Sequence, residues 1–365
     1  MKKIQISFLV LLALFMVSCA PKYTLNHATP VKPIDLPADD AAHYWAQNEW
    51  WYYTGHLKAE DGRDFGYEVT FFKRITSEDN VPEFFIPIPA HWFKDVGLLG
   101  HFAVTDLNKG TFQAGQIHNF LFNKSKADDK KYDLMIDTWT AREENGKHIL
   151  SAEMKGYKVD LELEPVKPAA YHGKDGIADK GANHSNYYYS YTDMKTTGTL
   201  TIDGKPVKVT GTTWMDHEYG TMKLNPPQSG WDWFSVQLDN KCELMVYIIR
   251  NDRDKIIDIA GGTFVLPDGK TIWLKQKDLD VKNLSYWYSK KTDSNYPASW
   301  DITVDPLKLK LNIVPMLAEQ EVALKPIPYW EGTVQVTGTY DNLPVKGKGY
   351  VELTGYSKKY PLAFF

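Results

Sequence analysis

Apolar side chains recur along this chain at every second position far more often than at helical spacing. Val159, Leu161 and Leu163 alternate with acidic residues, Leu307, Leu309, Leu311 and Ile313 with two lysines and an asparagine, and the run from Thr333 to Thr339 (TVQVTGT) keeps the period. Alternation of this kind sends successive side chains to opposite faces of a strand. Beyond the leader no window of about 11 or more residues sustains a helical repeat, so an all-β chain is predicted. Turn signals at Glu60-Asp61-Gly62, Asn145-Gly146, Asp203-Gly204, Asp239-Asn240 and Pro267-Asp268-Gly269 separate the apolar runs. That spacing suits antiparallel meanders closing into barrels or sandwiches and excludes a parallel α/β fold.

A Pro-Pro pair followed by Ser-Gly cannot sit inside a central strand, so Leu224 to Gly230 (LNPPQSG) marks a division near residue 223, between domains spanning 43–223 and 224–365. Each half opens with a tryptophan-bearing strand, a polar hairpin and a second apolar strand: EWWYYTGHLKAEDGRDFGYEVTFF from Glu49, and WDWFSVQLDNKCELMVYII from Trp231. The pattern is that of a weak duplication. NVPEFFIPIPAHWF, from Asn80 to Phe93, suits an irregular loop across a barrel mouth.

The first 18 residues combine Lys2 and Lys3 with an apolar stretch from Ile4 to Val17 that is short for a bilayer span, which predicts a cleaved signal peptide. Met16-Val17-Ser18-Cys19-Ala20 is similar to a bacterial lipoprotein processing site, which implies an acylated Cys19 as membrane anchor. Asp is missing after Cys19, which points to the periplasmic face of the outer membrane. Pro21, Pro30, Pro33 and Pro37 lie among polar residues and predict a tether over 19–42, with folded structure starting near His43.

Composition narrows the function. The net charge is −4, and loss of the two leader lysines makes it more negative, so no basic field exists for a nucleic-acid backbone. The 12 Trp, 22 Tyr and 16 Phe are the usual lining of strand cores and of pockets for apolar ligands. Cys19 and Cys242 cannot form a disulfide framework, and Cys242, in the strand-like run CELMVYII, reads as a buried inert thiol. No phosphate loop, serine elbow or cysteine-rich metal pattern occurs.

The densest polar knot in apolar surroundings is GTTWMDHEYG, from Gly211 to Gly220. On an extended strand Trp214, Asp216 and Glu218 share one face, and Met215, His217 and Tyr219 the other. Either the two carboxylates form a site with His217 supporting from behind, or His217 and Tyr219 face the ligand while the carboxylates hold a neighbouring element. The triplet can supply a general acid and base, or brace a domain junction; it lacks the paired-histidine spacing that advertises zinc, so no metal and no cofactor are expected. A second knot, Asn48 to His56, carries Glu49, Trp50, Trp51 and Tyr53 as either a core strand or an apolar binding wall. His101 and His118 are lone histidines on apolar strands.

NEWWYYTGHL at Asn48, GYEVTFF at Gly66, HFAVTD at His101, GTTWMDHEYG at Gly211, GWDWFSVQL at Gly230, ELMVYIIR at Glu243, YWEGTVQVTG at Tyr329 and GYVELTGY at Gly349 together resemble the AttH-like and carotenoid 1,2-hydratase family, which includes kievitone hydratase. The resemblance implies two lipocalin-like antiparallel β-barrel domains side by side, an apolar or isoprenoid-like small molecule at their junction, and hydration or isomerisation of an isolated C=C bond. A non-catalytic carrier or sensor of such ligands is the alternative. The family pattern carries over to His217 and Tyr219, and the implied chemistry would make Asp216 or Glu218 the acid, His217 the water-orienting base, and Trp50, Trp51, Trp214, Tyr219 and Trp233 the wall facing a carbocation, with Trp231 in the expected ligand-binding set. Glu49, Tyr53 and His101 complete the expected ligand-binding set. The family's Tyr-x-Asp pair is broken here, since Ile248 and Ile249 follow Tyr247.

Overall fold

A computed structural model of the chain describes residues 21–27, 32–81, 88–92, 94–119, 124–181, 184–221, 224, 227–251, 256–324 and 328–357. The leader, Cys19, the division point at 223 and part of the loop from Asn80 to Phe93 lie outside them.

Among the described residues, one curled antiparallel sheet holds 13 strands and a second holds 10. The first sheet ends with the strand Lys205–Gly220 and the second begins with Gln228–Leu238. Their orders match. In each, the tryptophan-bearing opening strand pairs on one side with its hairpin partner and on the other with the last long strand of the unit. Asn48–Ala59 thus lies between Asp64–Ile75 and Lys205–Gly220, and Gln228–Leu238 between Glu243–Asn251 and Leu343–Leu353. The repeated order is the structural counterpart of the repeated sequence pattern.

The turns follow from residues that tolerate positive φ. Asn145-Gly146 (φ 54 and 78°) and Asp203-Gly204 (φ 50 and 78°) each close a hairpin. The alternation expected from Leu307 starts at Leu309, because Asp305–Leu307 is a 3₁₀ turn released by Lys308 at φ 50°. Cys242 is packed in the second core, and burial pushes its thiol up to about 11.

Each sheet wraps a core of its own. Trp51, Tyr53, Leu57, Trp139 and Met215 fill the first barrel, and Phe234, Val236, Trp300 and Trp330 the second. A third cluster, with Tyr52, Tyr188, Trp214, Trp233, Tyr247 and Tyr350, lies between the sheets. Asn48–Ala59 is therefore buried on both faces, which accounts for its unbroken run of aromatics.

Hydrogen bonds tie the junction together. Tyr52 Oη donates to Glu331 Oε1 (2.7 Å), Trp233 Nε1 to Tyr188 Oη (2.8 Å), and Tyr247 Oη to the Asp179 carbonyl (2.9 Å). His56 meets Thr333 at 2.6 Å, and Lys167 forms an ion pair with Glu243 at 2.7 Å.

Residues expected as tether also pack. Ile34 is buried, and the 3₁₀ turn Ala38–Asp40 sits on the first barrel, where the Asp40 carbonyl accepts from Trp51 Nε1 at 3.0 Å.

The close approach of the sheets yields a prediction. A Cβ on Gly66 would lie 2.7 Å from Tyr350 Oη and 2.9 Å from Thr333 Cβ, both on the opposing sheet. Gly66→Val is expected to lower stability by about 1–3 kcal/mol through overpacking, read as a lower urea midpoint; an unchanged midpoint would show that the sheets do not meet there.

Candidate functional site

The strand Lys205–Gly220 divides its chemistry by alternation. Asp216 and Glu218 point to the junction, where they border a cavity of about 60 Å³ walled by Trp50, Tyr52, Phe72, Tyr188, Trp231, Trp233, Tyr247 and Ile249. Lys180 and Glu352 supply its other ionisable groups. The volume is under half that of the ~150 Å³ apolar cavity known to take up benzene. That leaves no room for a whole isoprenoid. Trp214 lies behind this wall, with its Nε1 donating to Asp216 Oδ1.

Burial governs the acids. Asp216 is forced up to about 7 by desolvation, against the opposing hydrogen bonds from Ser190, Tyr188 and Trp214. Glu352 is likewise raised to about 7 by burial, with Trp231 Nε1 donating to its Oε2 at 2.7 Å. Glu218 is held by Lys180 Nζ, 2.9 Å from Oε1, and by Asn186 Nδ2 at 2.8 Å. Further along the interface Glu331 and Glu68 are fully buried carboxyls, one from each sheet, and desolvation followed by their mutual repulsion drives Glu331 well above the ordinary range.

His217 and Tyr219 face the other way, into the first barrel, together with Glu49, Trp51 and Tyr53. This separates the expected trio: the two carboxylates share the junction cavity with the tryptophans, and His217 does not. Its Nε2 lies 2.8 Å from Glu49 Oε1, its Nδ1 2.8 Å from Tyr189 Oη, and its ring stacks on Trp51 at 4.7 Å. Glu49 also receives His43 Nδ1 (2.8 Å) and Lys73 Nζ (3.1 Å). Burial would raise Glu49, but Lys73 and His43 hold it well below the usual range.

Burial opposes a charge on His43, yet Glu49 and Asp39 outweigh it and lift the imidazole to about 9. His217, by contrast, is lowered to about 4 by burial and stays neutral. An ionised Glu49 only accepts, so His217 carries its proton on Nε2 and accepts on Nδ1 from Tyr189. Tyr189 also contacts Asp40, which burial raises to about 6. One phenol proton cannot serve both neighbours, so the row is complete when Asp40 is protonated.

His43, Glu49 and His217 each bring one donor atom within 4.8 Å of the others, a two-histidine, one-carboxylate set. A metal ion there would displace direct hydrogen bonds and compete with the Lys73 ammonium, so the set fits its own hydrogen-bonded ion cluster better than a cation.

The remaining expected residues serve packing. Tyr53 Oη bonds Tyr132 and His148 in the first barrel. His101 meets Tyr329 Oη at 2.8 Å in a separate contact between the sheets, and burial lowers it to about 4. Ile249 lines the cavity at the second position after Tyr247, where the family pattern has Asp. Sequence reasoning missed Lys180, Tyr188, Glu352, His43 and Lys73. Glu352 lies in a period-two strand, GYVELTGY, where a lone acid among apolar residues was the available signal; Lys180 meets Glu218 and Tyr188 meets Asp216 only through strand pairing, Lys73 lies opposite Glu49 in the first hairpin, and His43 precedes Glu49 by six residues.

A family profile described as AttH-like matches residues 27–356. A protein of Nitrosomonas europaea assigned to AttH is 28% identical in its crystal structure, superposes with a TM-score of 0.79, and is covered over 100% of its length and 91% of this chain. Kievitone hydratase from Nectria haematococca has 14% identity and a TM-score of 0.71, over 93% of this chain and 97% of its own. CghA has 13% identity and a TM-score of 0.57 over the same shares. These last two likenesses concern the fold. A comparison with curated proteins gives no match.

The ion cluster generates two predictions. Glu49→Gln leaves Lys73 and His43 without their buried counter-charge and is expected to cost about 3–5 kcal/mol in urea denaturation at pH 7; a loss under about 1 kcal/mol would mean that the three charges are not coupled. His43, raised from 6.5 to about 9, contributes stability that is full below pH 6.5 and lost as pH rises through 9. Denaturation midpoints between pH 6 and 10 read this loss, and His43→Gln should flatten the profile.

Proposed function

The chain belongs to the AttH-like family, and from that premise we propose that it binds one end of an unsaturated apolar molecule in the junction cavity and protonates an isolated double bond there. The observation that carries this reading is a pair of carboxyl groups, Asp216 and Glu352, poised at about 7 within an aromatic wall. A carboxylic acid that remains protonated near neutral pH can deliver its proton to an alkene.

Glu352 is the donor in this scheme. Trp231 holds one of its oxygens, and the other gives its proton to the less substituted alkene carbon as the π electrons form the new C–H bond. The cation left on the more substituted carbon faces Trp50, Trp231 and Trp233. Water adds to it and passes a proton to ionised Asp216, giving an alcohol; loss of a neighbouring C–H proton to the same group gives an isomer instead. Solvent then re-equilibrates the two carboxyls. His217 takes no part, because its ring is locked between Glu49 and Tyr189. The hydratase among the proteins of this fold supports the reaction class.

A carrier or sensor is the second reading, favoured by Ser190, Trp214 and Tyr188 all donating to Asp216, as a brace requires. We further propose that Cys19 is lipid-anchored at the periplasmic face of the outer membrane, on the support of the leader pattern. Cys19→Ser should then move the protein from the membrane fraction to the soluble one.

The test of catalysis is deuterium uptake by farnesol in heavy water, followed by mass spectrometry. Turnover is expected with the wild type, falling about tenfold per pH unit above pH 7 as Glu352 ionises. Glu352→Gln should slow it by about 100-fold or more. Equal rates in the two proteins would remove Glu352 from the chemistry, and thermal melting would show whether it is a brace.

A further inference from the structure

We propose that His172 is a positioning residue for the junction acid: through Ser190, the ring nitrogen of His172 that carries the proton follows the protonation of Asp216. This deepens the reading of Asp216 as the group that takes up a proton at the cavity and rests on it for its role, but the coupling itself does not require turnover.

Trp214, Ser190 and Tyr188 all reach the Asp216 carboxyl. Trp214 Nε1 and Ser190 Oγ meet Oδ1, and Tyr188 Oη lies 2.6 Å from Oδ2. An indole can only donate. Tyr188 Oη already receives Trp233 Nε1 at 2.8 Å, so its own proton goes to the carboxyl. Ser190 differs, because its second partner can take its proton: His172 Nε2 lies 2.6 Å from Ser190 Oγ, and His172 Nδ1 lies 2.9 Å from Thr263 Oγ1 on the second sheet. Ser190, His172 and Thr263 are all buried, where a polar atom left unpaired is costly.

A row of two hydroxyls and one neutral imidazole has two complete arrangements. With Asp216 ionised, Ser190 donates to it, His172 donates from Nε2 to Ser190, and Thr263 donates to Nδ1. With Asp216 protonated on the oxygen facing Ser190, its O–H donates to Ser190, Ser190 donates to Nε2, and the ring donates from Nδ1 to Thr263. A mixed arrangement sets two protons or two lone pairs against each other. The two states differ by one proton, exchanged with solvent at Asp216; the ring keeps one proton throughout and only its site changes. The imidazole stays neutral because burial lowers it to about 3, and the Lys180 charge acts in the same direction. The Tyr188 ring packs beside it at 4.3 Å. Around Asp216 stand Glu218 on its own strand, Lys180, Glu352 and the phenols of Tyr52, Tyr188 and Tyr247. Burial, with a smaller push from Glu218, brings Asp216 to about 7, so both states are reached in ordinary buffers.

Proton–nitrogen correlation NMR of the full mature chain, carrying isotope-labelled histidine, reads which ring nitrogen is protonated; the signal absent from the His172→Gln spectrum identifies the residue. His172 is expected to carry its proton on Nδ1 at about pH 5 and on Nε2 at about pH 9, with a midpoint of about 7. Asp216→Asn fixes the proton count of the acid and should abolish the pH dependence. Ser190→Ala removes the link and should do the same, and thermal melting verifies that each variant is folded. A single tautomer of the wild type at every pH, an imidazolium in place of a neutral ring, or a switch that survives in a folded variant overturns the proposal. Deuterium uptake by farnesol without a tautomer switch would sink this inference alone; a switch without uptake would sink the hydration reading alone.

Discussion

The structure depends on two adjacent stretches of strand, 48–57 and 213–220, being buried on both faces at once. They pair antiparallel, with Glu49 opposite Tyr219, Trp50 opposite Glu218 and Trp51 opposite His217. The period of a strand is two, so every side chain must belong either to the first barrel or to the junction. A slip of one residue would send Glu49 and His217 into the cavity and Trp50 and Asp216 into the core. The two polar clusters are products of that one register.

Their electrostatics differ because their counter-charges differ. Inside the barrel the Lys73 ammonium and the His43 imidazolium overcome the desolvation of Glu49, which stays ionised. At the junction burial meets less compensation, and Asp216 and Glu352 settle near neutrality. A charged, locked cluster on one side of the sheet and poised acids on the other fit different roles. The first ties the segment carrying His43 to the barrel, where its ring stacks on Tyr219 at 3.7 Å. The second borders the junction cavity.

Much of the fold was legible in local pattern. The hairpins at Asn145-Gly146 and Asp203-Gly204 follow from residues that accept positive φ, and the repeated tryptophan strand corresponds to a repeated strand order. The split between Asp216 and Glu218 on one face and His217 and Tyr219 on the other was also visible, because alternation requires it. Which face borders the junction cavity was not. That choice turns on what lies opposite: Tyr188, Trp233 and Glu352 for the carboxylates, Glu49, Trp51 and Tyr189 for the histidine. Lys180 and His43 carry no local signal of their own; one gains its meaning from Glu218, 38 residues on, and the other from Glu49 and the far strand.

By itself the sequence determined that this chain is β, that it holds two similar units, and that acids, a histidine and tryptophans sit together near the end of the first. Those properties follow from side-chain periodicity, turn chemistry and motif content, all read within short stretches of chain. Only the tertiary structure decided which acids burial raises, which ring faces meet a cavity, and that the cavity measures about 60 Å³. Protonation depends on desolvation and on charges brought from distant strands, and cavity size is the small remainder left after two sheets pack. Neither quantity exists until the pairing is complete.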